Sequence, residues 1–104
     1  MSSYFQYDDR LGIEIPVLDL EWEMYDATVR TQLLLHWEQI RGYIPDRIMK
    51  LEAQIIEKQN KLDKEDDFVT SCRLNSDIAD LASIINDLHL WFRTNQDLES
   101  KTHH

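Results

Sequence analysis

Only two glycines and two prolines punctuate these 104 residues. Turns draw on both types, because glycine enters positive φ at no steric cost and proline pre-sets φ for a bend. A chain so poor in both has to consist of a few long elements, and folds made of many short strands are disfavoured. With 42% apolar residues it is too hydrophobic for a disordered chain, and 104 residues suffice for one domain with a modest core.

The strongest periodic segment is Asp77 to Phe92. Ile78, Leu81, Ile85, Leu88 and Phe92 recur three and four apart, which places them on one stripe of an α-helix. Ala82, Ile84 and Trp91 flank that stripe, and an apolar face this broad asks for at least two neighbouring helices. A helix over about 67–95 is predicted. Asp63 or Asp66 would cap it, and Asn75-Ser76-Asp77 could kink it.

Two further helices are expected upstream. One spans about 17–42, started by Pro16 and ended by Gly42 at a C-terminal cap position, and the next spans about 45–63, opened by Pro45. In the first, Leu18, Trp22, Tyr25, Val29, Leu33, Ile40 and Tyr43 gather on one face, with Trp37 at its edge. A second face carries Leu20, Met24, Ala27, Leu34 and Leu35. Two nearly opposite apolar faces need a second layer of protein, so this face is the candidate interface to another copy or to a different protein. In the next helix, Ile44, Ile48, Leu51, Ile55 and Leu62 follow a heptad, with Met49 and Ile56 beside it.

A turn is placed at 63–67 on phase alone. Stepping seven from Leu62 reaches Val69, Ser76 and Ser83, whereas the following stripe is Ile78, Ile85 and Phe92. That slip is awkward for one straight helix along a single seam. The alternative is one helix of about 50 residues that dimerises, although helices that long are uncommon. Residues 1–15, with Tyr4, Phe5 and Tyr7 and the alternating Gly-Ile-Glu-Ile before Pro16, suggest an extended arm and not an independent strand pair. Tyr4 and Phe5 join the candidate interface. Residues 99–104 are expected to be a disordered tail.

The predicted fold is therefore all-α: a three-helix bundle over 16–98, with the second and third helices in an antiparallel hairpin, a short N-terminal arm, and dimerisation.

Charge narrows the partners. Twenty acidic side chains against eleven basic give a net −9, and residues 1–40 hold eight acids against two bases. Nucleic acid and anionic membrane would be repelled. Cys72 is the only cysteine, so an intrachain disulfide and a Cys-rich zinc site are excluded. The polar, acidic start lacks the pattern of a signal peptide, no apolar run approaches the roughly 20 residues of a membrane span, and a reducing cytoplasm is the expected compartment.

No serine sits in a glycine-framed elbow and no glycine-rich loop could cradle phosphate. His36 and His89 project near helix faces, but a helical metal site of the Glu-x-x-His kind fails, since Leu33 and Asn86 stand three residues before them. No catalytic residue, cofactor or metal is predicted. The expected function is a non-enzymatic protein–protein interaction module acting by helix contacts. The alternatives are an acidic mimic of nucleic acid that blocks a basic protein, and a ligand- or metal-binding bundle using His36 and His89.

Overall fold

The computed structural model describes residues 4–93. Strands β1 (Phe5–Asp8) and β2 (Ile13–Pro16) form an antiparallel hairpin, a 3-10 turn follows at Trp22–Met24, and two long helices complete the chain, α1 (Ala27–Asp63) and α2 (Phe68–Phe92). The chain is thus mostly helical, and it extends as a rod of 59 × 23 × 21 Å. The helices run antiparallel: Lys58 reaches Asp77 at 3.2 Å near the turn, while Trp37 meets Trp91 edge-on at the far end, ring centroids 5.7 Å apart. Among the described residues no helix is long and apolar enough to cross a membrane.

The helices expected over 17–42 and 45–63 are one. Leu33, Trp37, Ile40, Ile44, Ile48 and Leu51 are all buried and step by three or four without a phase change through Gly42 and Pro45. A proline inside a helix removes one hydrogen bond and costs about 3 kcal/mol. Burying Ile44 and Ile48 returns roughly 1.5–3 kcal/mol each, so continuing the seam outweighs breaking it. Gly42 is exposed, and a Cβ placed there would touch nothing.

Nor does the helix begin near Pro16. That residue ends β2, and residues 17–26 stay outside α1, which starts at Ala27. Tyr25 explains the delay. Its hydroxyl accepts hydrogen bonds from the backbone N–H groups of Asp19 and Leu20, both 3.1 Å, and its ring meets Tyr4 edge-on. Leu18 and Trp22 still pack on the core, reached from a bent chain instead of a helix.

The N-terminal arm is a true strand pair, contrary to the expectation of an unpaired segment. Phe5 pairs with Pro16 and Asp8 with Ile13. A lone two-stranded ribbon is marginal in water; this one is held because Phe5, Leu11 and Ile13 are buried among residues of α1 and α2. Its loop is shaped by Asp8, whose carboxylate accepts from Leu11 N–H (2.8 Å), and by Gly12 at φ 75°. Arg47 of α1 donates to the Leu11 carbonyl at 3.0 Å, and Arg10 reaches Asp87 and Ser83 of α2, so the ribbon is tied to both helices.

The turn falls where the phase slip put it. The capping residue is Asp67 and not Asp63 or Asp66: its carboxylate accepts from Thr70 N–H (2.9 Å) and Thr70 Oγ1 (2.8 Å). α2 then runs unbroken through Asn75-Ser76-Asp77 to Phe92. The predicted end at 95 and the tail 99–104 lie outside the described residues.

Candidate interaction surface

The rod has two unlike ends. At one, α1, α2 and the β-ribbon form three layers around Trp37, Ile44 and Leu88, each 1% exposed or less. At the other, beyond Leu51, only α1 and α2 remain. Leu74 is the one buried apolar side chain there and stands apart from the main core cluster. Ile55, Leu62 and Ile78 on the inner faces are half-buried, and Ile56, Phe68 and Val69 are exposed, Phe68 by 79%. Two helices alone cover only one stripe of each other, so the remaining apolar surface meets water.

The residues expected to form the interface do not come together. Phe5 belongs to the monomer core and Tyr4 packs on Tyr25. Leu20 and Met24 are exposed on the non-helical segment, so they do not line up with Leu34 and Leu35 as successive turns of one helix would. Ala27 is exposed at the first position of α1, Leu34 is half-buried and Leu35 is exposed. Nearer the turn Met49, Ile56, Phe68 and Val69 are exposed as well, and there no third layer accompanies the two helices. Met49 and Ile56, seven apart beside the seam, carried that signal in the sequence.

One spot gathers polar groups. His36 Nε2 lies 3.0 Å from Glu14 Oε1, and the Phe5 ring meets the imidazole edge-on at 4.5 Å. His36 and Glu14 border an open cavity of about 520 Å³ that Tyr7, Gln39 and Tyr43 also line. The lining holds no serine, threonine or cysteine that the imidazole could activate as a nucleophile. The pair's evident work is to clip β2 onto α1. His89 is exposed on α2 and, at about 100° per residue, faces away from the ribbon side where His36 lies. No cluster of three or more metal-ligating side chains occurs among the described residues.

The carboxylates form no open rank along α2. Asp77 is paired with Lys58 and Asp87 with Arg10. The Asp67 carboxyl is held below its ordinary 3.8 because the Thr70 backbone N–H and then its hydroxyl donate to the ionised form. Cys72 is a free, exposed thiol. No protein-family model, curated protein or solved structure matches this chain.

Proposed function

We propose that this chain is a non-enzymatic interaction module that engages another protein, or a second copy of itself, through helix-to-helix contact at its two-helix end. The observation that carries the reading is the missing third layer there: the same helices that bury Trp37 completely leave Ile56 and Phe68 in water. Soluble monomers seldom leave contiguous apolar surface uncovered without a use for it. The net charge of −9 turns such a surface toward protein partners and away from nucleic acid. A lone exposed thiol suits the reducing cytoplasm as the place of action.

Capture from the native cell tests the reading. The intact chain should retrieve a defined partner or its own untagged copy, and Ile56→Asp, at an exposed position where a charge is tolerated by the fold, should retrieve neither. If the variant pulls out the same proteins in the same yield, the two-helix end is not the docking surface.

A further inference from the structure

We propose that the cleft between the β-ribbon and α1 is a binding site for a compact organic cation, an alkylated ammonium group carried by a small molecule or by a side chain of a bound peptide. The site lies at the ribbon end of the rod and stands independently of the interaction reading above.

The placement of tyrosine is the first observation. Of the four tyrosines, Tyr4 and Tyr25 pack edge-on against each other, whereas Tyr7 and Tyr43 are left 58% and 69% exposed. Those two come from different elements, yet both line the same open cavity of about 520 Å³. The backbone accounts for the meeting. Tyr7 and Glu14 are cross-strand partners and so share one side of the ribbon, while His36, Gln39, Ile40 and Tyr43 are spaced three and four apart on one face of α1. A single exposed aromatic needs no explanation, but two from separate elements on one cavity of ligand size ask for one.

The second observation is the polarity of the wall. An ionised carboxylate only accepts hydrogen bonds, so His36 Nε2–H donates to Glu14 Oε1 across the 3.0 Å contact and holds the carboxylate in place. Among the described residues the other oxygen, Oε2, accepts from no protein donor. No lysine or arginine lines the cavity, and Arg47, one turn beyond Tyr43, is turned to the Leu11 carbonyl at 3.0 Å. The fixed charge of the wall is therefore one carboxylate, in a chain of net −9. A cleft of one sign draws in the opposite charge.

The third observation selects among cations. A metal ion needs several oxygen or nitrogen ligands to replace its water, and no group of three ligating side chains occurs among the described residues. An alkylated ammonium spreads its charge over methyl groups and gives up its water more easily. Aromatic rings attract such a group, and the apolar part of the lining, the buried Ile13 and Ile40, suits its methyls.

Choline is the probe, titrated into the isotope-labelled intact chain at constant ionic strength and about pH 8, above the usual imidazole range. Amide resonances of the cleft, Gly12 and Gln39 among them, should shift with a midpoint near about 1 mM, while Cys72 at the far turn stays still. The neutral isostere, with carbon in place of the choline nitrogen, should bind roughly 10-fold more weakly. Glu14→Gln keeps an oxygen that accepts from His36 and removes only the charge; it should weaken choline binding by roughly 10-fold. Tyr43→Leu, at an exposed helix position, should weaken it by roughly 5-fold and leave the thermal transition where it was. A short peptide with one trimethyllysine among neutral residues separates the sources: tighter binding than choline means that the group arrives on a chain, and equal or weaker binding that it arrives free. Equal affinity for the neutral isostere, choline binding undiminished by Glu14→Gln or by Tyr43→Leu, or no shift by about 50 mM choline overturns the proposal.

Discussion

The ribbon end and the turn end of the rod are made from the same two helices with the same seam spacing, yet one closes a large buried core and the other buries only Leu74. Around Trp37 each helix has two neighbours, the other helix and the ribbon, and ten apolar side chains close into one buried cluster. Past Leu51 each helix has a single neighbour, and Ile55 and Ile78 reach only half-burial on the same inner faces. Burial here follows the number of layers more than the pattern of any one helix. Stability should accordingly be concentrated at the ribbon end, and the turn end should be the locally weaker unit.

The sharpest way to break that comparison is a charge at each end. Ile44 is fully buried, and Ile44→Asp would strand a carboxylate without a partner. Such burial costs several kcal/mol against a whole-domain stability of about 5–15 kcal/mol, so the cooperative thermal transition followed by circular dichroism should be lost. Phe68→Asp, at the turn end, should move monomer stability by no more than about 0.5 kcal/mol. Equal damage from both would mean that the two ends share one core after all. Next in size, Phe5→Ala should lower stability by about 3–5 kcal/mol in urea unfolding, because the ring is 5% exposed inside the ribbon-end core. A loss below about 1 kcal/mol would show that the ribbon is an ornament on a self-sufficient helical pair.

Much of this was legible in the residues. The long-element reading, the stripe of α2 and the turn after Asp63 all followed from spacing, since each depends on contacts between residues a few positions apart. Gly42 and Pro45 misled because they are local signals, and the seam from Ile40 through Ile44 to Ile48 overrode them with burial that only the partner helix provides. The segment 17–26 has apolar spacing that fits a helix. What prevents one is Tyr25 folding back on Asp19, Leu20 and Tyr4, contacts no periodicity encodes. The ribbon was missed for the same reason, as four-residue strands alternate too briefly to declare themselves. Its loop did leave one trace, the glycine at position 12. At the candidate surface, Met49 and Ile56 stood out by their spacing of seven, whereas Phe68 and Val69 became conspicuous only once the turn was located.

The two glycines sharpen the comparison at smaller scale, with opposite signs. Gly12 has φ 75°, and a Cβ there would come within 2.7 Å of Arg47 Nε, so Gly12→Ala strains the backbone and disturbs the bond from Arg47 to Leu11. The expected loss is about 1–2 kcal/mol. Gly42→Ala meets empty space in the middle of α1 and should gain up to about 1 kcal/mol from helix propensity. Paired urea titrations read both signs. A stabilising Gly12→Ala would refute the assigned loop conformation.

The smallest effect belongs to the turn itself and is best read against pH. Asp67 is held below its ordinary value of 3.8 by the Thr70 N–H and then the Thr70 hydroxyl, so the folded chain releases this proton more readily than the unfolded one. Stability from the ionised cap is therefore fully present above the unfolded value, and it fades as pH falls through the still lower folded value. Asp67→Asn keeps a side-chain oxygen suited to the cap and removes the titration. The difference in melting temperature between parent and variant should stay level from about pH 6 to about pH 5, then shrink toward zero below about pH 4. Because Asp67 is fully solvated, the difference should also diminish with added salt. A difference that grows on acidification would mean the carboxylate is destabilised in the fold, and the cap at the start of α2 would have to be assigned to another residue.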